Sequence, residues 1–207
     1  MSNDIATSHG GHDQATATDT RHLAARLVAD ARRRPTVLAV WAHPDDETVT
    51  AGGLLAALHD QGARVVNVSA TLGEHGTDDP VARPPEVLAA VRRRELRHAM
   101  TRLGGDRTVL FGYGDGDCAD VPVEEGTDRV GEIVERCRPD VVVTFGDDGV
   151  TGHPDHRAVA TWTERAVAAC GHPTSLVTTA AAAAWPDDVV DRLHSITAFW
   201  PGYPDHD

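Results

Sequence analysis

Four short stretches of this chain are rich in apolar residues, and each ends in a cluster of glycine, proline or polar residues. Short apolar runs bounded in this way are typical of strands in a buried parallel sheet. They predict strands over residues 37–41, 64–70, 107–111 and 140–145. A fifth strand is predicted over residues 175–180, after the last helical pattern.

Between these runs the apolar residues recur every three or four positions, which is the spacing of one face of a helix. Helices are predicted over residues 48–61, over a long segment that ends near Leu103, over residues 127–138, and after His156. Strand and helix therefore alternate four times, which predicts a single Rossmann-like α/β domain with a mostly parallel sheet flanked by helices. The expected strand order is 3-2-1-4-5, which makes strands one and four neighbours.

The N-terminal end of the chain differs from this pattern. Residues 1–20 are rich in Ser, Thr, Asp, Gly and Ala and contain almost no apolar side chains. Because such a segment cannot bury enough surface to fold, we predict a disordered tail over residues 1–20 and a folded domain over residues 21–207. A short helix with Leu23 and Leu27 on one side is expected to end at the arginine run 32–34, where positive charge suits the helix dipole.

Composition narrows the classes of partner and the compartment. The net charge of −13 argues against a nucleic-acid partner, whose phosphates need a basic face, and fits a small neutral or cationic substrate. The three cysteines, Cys118, Cys137 and Cys170, are far apart and show no CxxC spacing, as expected of reduced thiols. No apolar run reaches the length of a signal or transmembrane segment, so we expect a cytoplasmic protein without membrane insertion.

Residues that can carry chemistry follow the predicted strands directly. They are residues 43–47 after the first strand, Glu74 after the second, Asp115 after the third, and residues 153–156 after the fourth. In a parallel sheet, function gathers beyond the carboxyl ends of the strands, near the point where the strand order reverses. We therefore expect the loops after strands one and four to meet across one cleft.

A histidine and three carboxylates stand within the five residues 43–47. So much negative charge at the end of a strand is costly unless a cation is bound there. His43 and Asp46 can both ligate zinc, and Asp45 lies between them, well placed to serve a bound water molecule. For this segment alone, a solvated acidic loop with a capping carboxylate is the alternative; the second histidine-rich segment, residues 153–156, favours the metal.

The two segments, AHPDDE at residues 42–47 and GHPDH at residues 152–156, resemble the signature of the PIG-L/LmbE family of zinc-dependent N-deacetylases. The resemblance extends over roughly residues 36–170, and both motifs occur in the family's order. It implies hydrolysis of the N-acetyl amide of an N-acetylglucosamine-type sugar or glycoside. Substrates in the family include a glycosyl-inositol of mycothiol synthesis and N-acetylglucosaminyl-phosphatidylinositol.

The resemblance also implies the residues that hold the metal. The three protein ligands would be His43, Asp46 and His156, which leaves a fourth position open, as in catalytic zinc sites. Zinc is the expected ion, and iron(II) is possible. Asp45 would take a proton from the attacking water as a general base.

Four further residues receive roles from the same resemblance. His153 would stabilise the tetrahedral oxyanion, and Asp155 would orient its ring. Arg92 matches the arginine of the family's RxxEL stretch, and Asp115 matches an aspartate that binds sugar hydroxyls in relatives; both would contact the substrate. A surface charge on a helix and a turn residue are the alternatives for these two positions.

The chain departs from the family at two places. Some relatives carry a tyrosine at the position of Thr151, two residues before the oxyanion histidine, and the part after residue 180 is short and rich in alanine. Two alternative functions therefore remain beside deacetylation of an N-acetylated amino sugar. One is an amidase that acts on the amide of a thiol conjugate, and the other is a metal-binding or sugar-binding relative without turnover. An oligomer is possible.

Overall fold

The computed structural model describes residues 17–29 and 34–179 of the chain. Within these ranges it contains the strands β1 (Thr36–Trp41), β2 (Arg64–Ser69), β3 (Gly105–Leu110), β4 (Val141–Phe145) and β5 (Ser175–Thr179). The helices are α1 (Ala17–Val28), α2 (Asp46–Asp60), α3 (Pro85–Arg102), α4 (Val123–Cys137) and α5 (Pro154–Ala169), with a 3-10 turn at Cys118–Asp120. Our predictions for residues 1–16, 30–33 and 180–207 lie outside the described residues.

The five strands form one parallel sheet in the order 3-2-1-4-5, which confirms the predicted topology. Strand β1 lies in the centre, between β2 and β4, and Val37 to Ala39 align with Val141 to Val143. Every residue of β1 and β4 is buried, because helices cover both faces of a parallel sheet. The carboxyl ends of β1 and β4 therefore lie side by side.

Right-handed crossovers place α2 and α3 on one face of the sheet and α4 and α5 on the other. Aromatic side chains connect the second face to the ends of the central strands. The ring of Trp41 meets the edge of Phe145 at 5.0 Å, and the Phe145 ring stacks at 4.1 Å on His156 in the first turn of α5. The hydrophobic core thus extends up to the base of the loops that follow β1 and β4.

Four helices begin earlier than the apolar spacing predicts, and one of them, α5, begins at Pro154 instead of after His156. Helix α1 begins at Ala17, within the segment predicted as tail, α2 begins at Asp46 instead of residue 48, and α4 begins at Val123 instead of residue 127. The first turns of α2 and α4 carry acidic residues, which suit a helix N-terminus but add nothing to an apolar period. Strand β3 likewise begins at Gly105, two residues before the predicted start at residue 107.

The contact between α4 and α5 gives a prediction for stability. Gly126 of α4 is buried, and a Cβ atom there would overlap the ring of Trp162, which is 1 % exposed. Because neither the ring nor the helix backbone can move freely, Gly126→Ala should lower the free energy of unfolding by about 1–3 kcal/mol. Chemical denaturation would measure the change.

Gly131 supplies the matched control on the same helix. A Cβ atom at this position has no atom within 4 Å, so Gly131→Ala should stabilise the protein by about 0.5–1 kcal/mol through helix propensity. Equal effects of the two substitutions would show that the Trp162 ring does not pack against Gly126.

Candidate metal and active site

The two signature segments become the first turns of helices at adjacent strand ends. After β1, Pro44 and Asp45 form a tight turn, and α2 begins at Asp46. After β4, His153 is the N-cap of α5, and proline, which suits the first helical position, follows at residue 154. His156 then lies in the first turn of α5, where its ring faces the end of β1.

Three predicted ligands converge at this point. Nδ1 of His43 lies 3.2 Å from Nε2 of His156 and 3.4 Å from a carboxylate oxygen of Asp46, and His156 Nε2 lies 3.3 Å from the other Asp46 oxygen. Zinc binds nitrogen and oxygen ligands at about 2.0–2.1 Å, so two ligands of a tetrahedral site stand about 3.3 Å apart. The two ring nitrogens and the carboxylate, which faces each ring with a different oxygen, therefore have the chemistry of such a site and pairwise separations close to those between its ligands.

Hydrogen bonds turn both histidine rings toward this point. Nε2 of His43 lies 3.1 Å from a carboxylate oxygen of Asp115 and 3.2 Å from one of Asp155, while Nδ1 of His156 lies 2.9 Å from the carbonyl oxygen of Gly149. A histidine that donates one ring N–H to such an acceptor presents its other nitrogen as a lone pair. Nδ1 of His43 and Nε2 of His156 are thus the nitrogens left to bind a cation.

In the described part of the chain, the predicted set of His43, Asp46 and His156 is not among the combinations of three side chains whose ligand atoms, one from each, all lie within 4.8 Å of one another; two such combinations exist. They are His43 with His153 and His156, and His43 with Asp115 and Asp155. The second combination meets at Nε2 of His43, and its carboxylates also accept backbone N–H groups, so we interpret it as the support of the His43 ring. Both combinations contain His43, so all of these side chains belong to one cluster with His43 at its centre.

Charges within the cluster act in opposite directions on the pKa values of its members. Burial lowers the pKa of His43, but the carboxylates of Asp115, Asp155 and Asp46 outweigh it and hold that pKa well above the usual value. Burial likewise raises the pKa of Asp46, but the two neighbouring histidines lower it below the usual value. The negative field around His43 is the field that a bound cation would neutralise.

The side chain of Asp45 differs from that of its neighbour Asp46 in its exposure to solvent and in the residues it contacts. Its side chain is 60 % exposed, whereas that of Asp46 is 9 % exposed and contacts both histidine rings. Loss of water on the side that faces the buried cluster raises the pKa of Asp45 to about 6, while the charge of Arg92 acts to lower it. A carboxylate beside the cluster, open to solvent and with a pKa near neutrality, suits a general base more than a ligand.

The backbone at Asp45 is unusual. Its φ is 104°, in the left-handed region that residues with a Cβ atom rarely adopt. Glu47, which is fully buried, holds this turn by accepting the backbone N–H of Asp45 at 3.1 Å, and burial raises the pKa of its carboxyl. Sequence reasoning assigned Glu47 no catalytic role, and the structure shows it as a support of the turn.

His153 lies next to the cluster, with its ring 4.7 Å from that of His43 and 4.9 Å from that of His156. Its Nδ1 accepts the backbone N–H of Asp155 at 3.1 Å, which closes the first turn of α5. Burial and the two neighbouring histidines lower the pKa of His153 to about 4. The ring is therefore neutral at pH 7, and its proton resides on Nε2, which can donate a hydrogen bond.

Asp155 was predicted to orient His153, and the contacts of its carboxylate are with other groups. It lies against Nε2 of His43 and accepts the backbone N–H groups of Gly116 and Cys118 at 2.9 and 3.1 Å. The first turn of α5 directs this side chain, which is fully buried, toward the loop after β3. Asp155 therefore joins that loop to His43.

Asp115 contacts the same nitrogen of the His43 ring, Nε2. One of its carboxylate oxygens contacts His43, and the other accepts the backbone N–H of His75 at 2.8 Å. Glu74 in turn accepts the backbone N–H of Asp115 at 3.0 Å. Sequence reasoning missed this connection between the loops after β2 and β3; the stretch TLGEHG at residues 71–76 was the signal that could have indicated it.

Arg92 of α3 reaches the cluster from the side of β2. Its Nη2 lies 2.6 Å from a carboxylate oxygen of Asp45 and donates to the carbonyl oxygen of Pro44 at 2.5 Å. Arg92, which was predicted to contact the substrate, is thus hydrogen-bonded to the turn at Pro44 and Asp45. All eight residues that sequence reasoning placed at the site lie around this one cluster.

Curated proteins with a similar sequence align with this chain over only part of their own length. A 1D-myo-inositol 2-acetamido-2-deoxy-alpha-D-glucopyranoside deacetylase of Corynebacterium diphtheriae is 37 % identical over 141 residues, which are 58 % of this chain and 47 % of that protein. One of Rhodococcus jostii is 37 % identical over 157 residues, 65 % of this chain and 54 % of that protein. The chain spans about half the length of the curated relatives it matches.

Among solved structures, the fold resembles the N,N'-diacetylchitobiose deacetylase of Pyrococcus horikoshii, with a TM-score of 0.61 and 22 % identity over 95 % of this chain and 82 % of that one. No helix in residues 17–29 and 34–179 has the length and apolarity needed to cross a bilayer. The family model described as PIG-L, GlcNAc-PI de-N-acetylase, matches residues 38–167, which take in both signature segments. Because this match covers more than half of the chain, the protein belongs to the PIG-L family.

Proposed function

We propose that this protein hydrolyses the N-acetyl amide of an N-acetylglucosamine-type sugar or glycoside and releases acetate and a free amine. The observation that carries the proposal is the convergence of His43, Asp46 and His156 within 3.2–3.4 Å, beside the exposed carboxylate of Asp45. A metal-capable face with an adjacent base is the arrangement that metal-assisted hydrolysis requires. The curated relatives, which are named as deacetylases of a 2-acetamido sugar linked to inositol, support the substrate class.

We propose zinc as the ion, with iron(II) as the alternative, held by His43, Asp46 and His156. The two imidazole nitrogens and one carboxylate fit a three-ligand catalytic zinc site with an open fourth position. When bound, zinc supplies a Lewis acid that polarises the amide carbonyl and lowers the pKa of water from ~15.7 toward ~7.

The protein's own residues would then divide the proton transfers. Asp45 accepts a proton from the attacking water, and its exposed position lets it return that proton to the departing amine nitrogen. Nε2–H of the neutral His153 donates a hydrogen bond to the oxygen that becomes negative in the tetrahedral intermediate. Asp155 and Asp115 hold the His43 ring in the tautomer that leaves Nδ1 free.

Asp115 is proposed as a positioning residue first and a sugar contact second. Both of its carboxylate oxygens already accept hydrogen bonds from the protein, and its side chain is 10 % exposed. A sugar hydroxyl would add a bond to an oxygen that already holds the His43 ring, because each carboxylate oxygen has two lone pairs. Substrate binding at this position would therefore act on the metal ligand itself.

The fold alone does not decide the reaction. A 4-carboxy-2-hydroxymuconate hydratase of Pseudomonas putida also shares it, with a TM-score of 0.56 and 22 % identity over 70 % of this chain and 62 % of that one. The proposal therefore rests on the side chains of the site and needs a test on substrates.

The experiment combines metal analysis with a screen for released amine. Purified protein would be assayed on N-acetylglucosamine, on its glycosides including an inositol glycoside, and on a thiol-conjugate amide. Release of amine from the N-acetyl sugars supports the proposal, and release from the thiol conjugate alone would establish the amidase reading. Stoichiometric metal without turnover of either class would identify a binding protein.

The oxyanion role gives a prediction that separates His153 from Thr151. His153→Ala should lower kcat/KM by ~10²–10³-fold, as the loss of an oxyanion donor does, because its ring lies 4.7 Å from that of His43 and 4.9 Å from that of His156. Thr151→Ala should cost less than ~10-fold. The Thr151 hydroxyl is 3.4 Å from Nδ1 of His156, a long contact beside the 2.9 Å bond to Gly149.

Steady-state kinetics on the best substrate would measure both variants, with metal content as the control for intact binding. Equally large losses in the two variants would show that Thr151 takes a direct part in the reaction.

A further inference from the structure

The loop between β2 and α3 contacts the guanidinium of Arg92 at two glycines, Gly73 and Gly76. A Cβ atom at Gly73 would lie 2.8 Å from Nε of Arg92, and one at Gly76 would lie 2.6 Å from its Nη1. Both separations are shorter than a carbon–nitrogen contact, so a residue with a Cβ atom at either position would require the guanidinium end of the Arg92 side chain to move. Gly73 also has a φ of +62°, which suits glycine independently of space.

The far end of the same guanidinium holds the turn after β1. Nη2 of Arg92 donates to the carbonyl oxygen of Pro44 and lies 2.6 Å from the carboxylate of Asp45. The Arg92 side chain is 16 % exposed, whereas that of Asp45 is 60 % exposed. The mostly buried guanidinium of Arg92 thus contacts the carboxylate of Asp45, which is itself largely exposed.

We propose that Arg92 is the positioning residue of Asp45, and that Gly73 and Gly76 set the place of Arg92. The inference rests on the proposed function, in which Asp45 is the base. It differs from the role implied by the family resemblance, in which Arg92 contacts substrate. The glycines of TLGEHG are then explained by a contact across the fold, since they bring the guanidinium to within reach of the base.

The need for such a residue follows from the geometry of Asp45. Its backbone is in the left-handed region and is fixed by Glu47, but its exposed side chain can rotate among staggered positions. A displacement of about 1 Å in a reacting group can cost ~10²-fold in rate. The two bonds from Nη2, one to the backbone of the turn and one to the carboxylate, select one of these positions.

Gly76→Ala tests the proposal without touching either charged residue. Gly76 does not use left-handed backbone, so its main-chain angles suit alanine. The added Cβ atom would lie 2.6 Å from Nη1 of Arg92 and 3.3 Å from the carbonyl oxygen of Gly73, so the guanidinium must move most and the loop backbone only slightly. We expect kcat to fall by ~10-fold to ~10²-fold while KM stays within about 2-fold and metal content is unchanged. Gly53→Ala is the matched control, because Gly53 is an exposed glycine with no atom near its Cβ position, and it should retain full activity.

The same substitution in a second background separates positioning from a general loss of structure. In Asp45→Asn protein, Gly76→Ala should cause no further loss of kcat, because the group it displaces is already gone. An equal further loss in that background would overturn the proposal. A rise in KM with unchanged kcat would also overturn it, since it would identify Arg92 as a substrate contact.

Crystal structures of wild type and Gly76→Ala give a readout that needs no substrate. The proposal expects the Arg92–Asp45 contact to be lost and the Asp45 carboxylate to leave its position in the variant; an unchanged carboxylate would contradict it. If wild type hydrolyses no N-acetyl sugar, the proposed function fails, and these structures still decide whether Arg92 positions Asp45.

Discussion

Replacing His43 or His156 by alanine should give a protein that holds no stoichiometric metal and hydrolyses no amide. Each histidine supplies one ring nitrogen to the proposed metal site, in which the three side chains contact one another at 3.2–3.4 Å, and the remaining nitrogen and carboxylate do not complete a catalytic site. The loss of activity should reach the detection limit. Metal content of the purified variants, measured by elemental analysis beside an amine-release assay, checks the expectation.

His98→Ala is the control for this pair. His98 is an exposed histidine on α3, away from the cluster, and its replacement should leave both metal content and turnover at the wild-type level. Full occupancy in both His43→Ala and His156→Ala would contradict the ligand assignment. Circular dichroism of the metal-free variants would show that the fold itself is retained.

Asp45→Asn should keep its bound metal, unlike the two histidine variants, but should lose most of its hydrolytic activity as they do. The asparagine side chain keeps the shape of the carboxylate and tolerates the left-handed backbone, so the neighbouring ligands stay in place. It cannot accept the proton of the attacking water, and kcat should fall by ~10²–10⁴-fold. Metal analysis and kinetics on the same preparation would measure both quantities.

Loss of metal from Asp45→Asn would mean that Asp45 is a ligand and that the roles of Asp45 and Asp46 are exchanged. The exposure of the two side chains, 60 % for Asp45 and 9 % for Asp46, favours the assignment made here. Asp46→Asn is the informative partner variant. It should weaken metal binding, because a neutral amide replaces the one anionic ligand.

The fold could be predicted from the chain because its signals are local. The apolar runs that become β1 and β4 are buried at every position, and the alternation of strand and helix leaves few topologies for a parallel sheet. Helix starts were the weaker part, since the first turns of α2 and α4 are acidic and carry no apolar period. The charge of a helix N-terminus was the signal that we did not use.

The site was predictable only in part, for a physical reason. That the loops after β1 and β4 meet follows from strand order, which the sequence pattern indicates. The partners of Asp155 and Arg92 depend on the direction in which α5 and α3 present their side chains, and spacing along the chain does not contain that direction. The contact of Gly73 and Gly76 with the Arg92 guanidinium similarly depends on the position of α3, which the sequence pattern does not give.

The left-handed turn after β1 also bears on how such a site is gained and lost in evolution. A φ of 104° at residue 45 is open to glycine and, among residues with a side chain, most readily to asparagine and aspartate. Of these three amino acids only aspartate carries a base. A single nucleotide change converts an aspartate codon to one for asparagine or glycine, and either product would keep the turn and the three proposed metal ligands. If Asp45 is the base, as we propose, catalysis at this position lies one mutational step from a folded, metal-binding protein without turnover, and the reverse step is equally short.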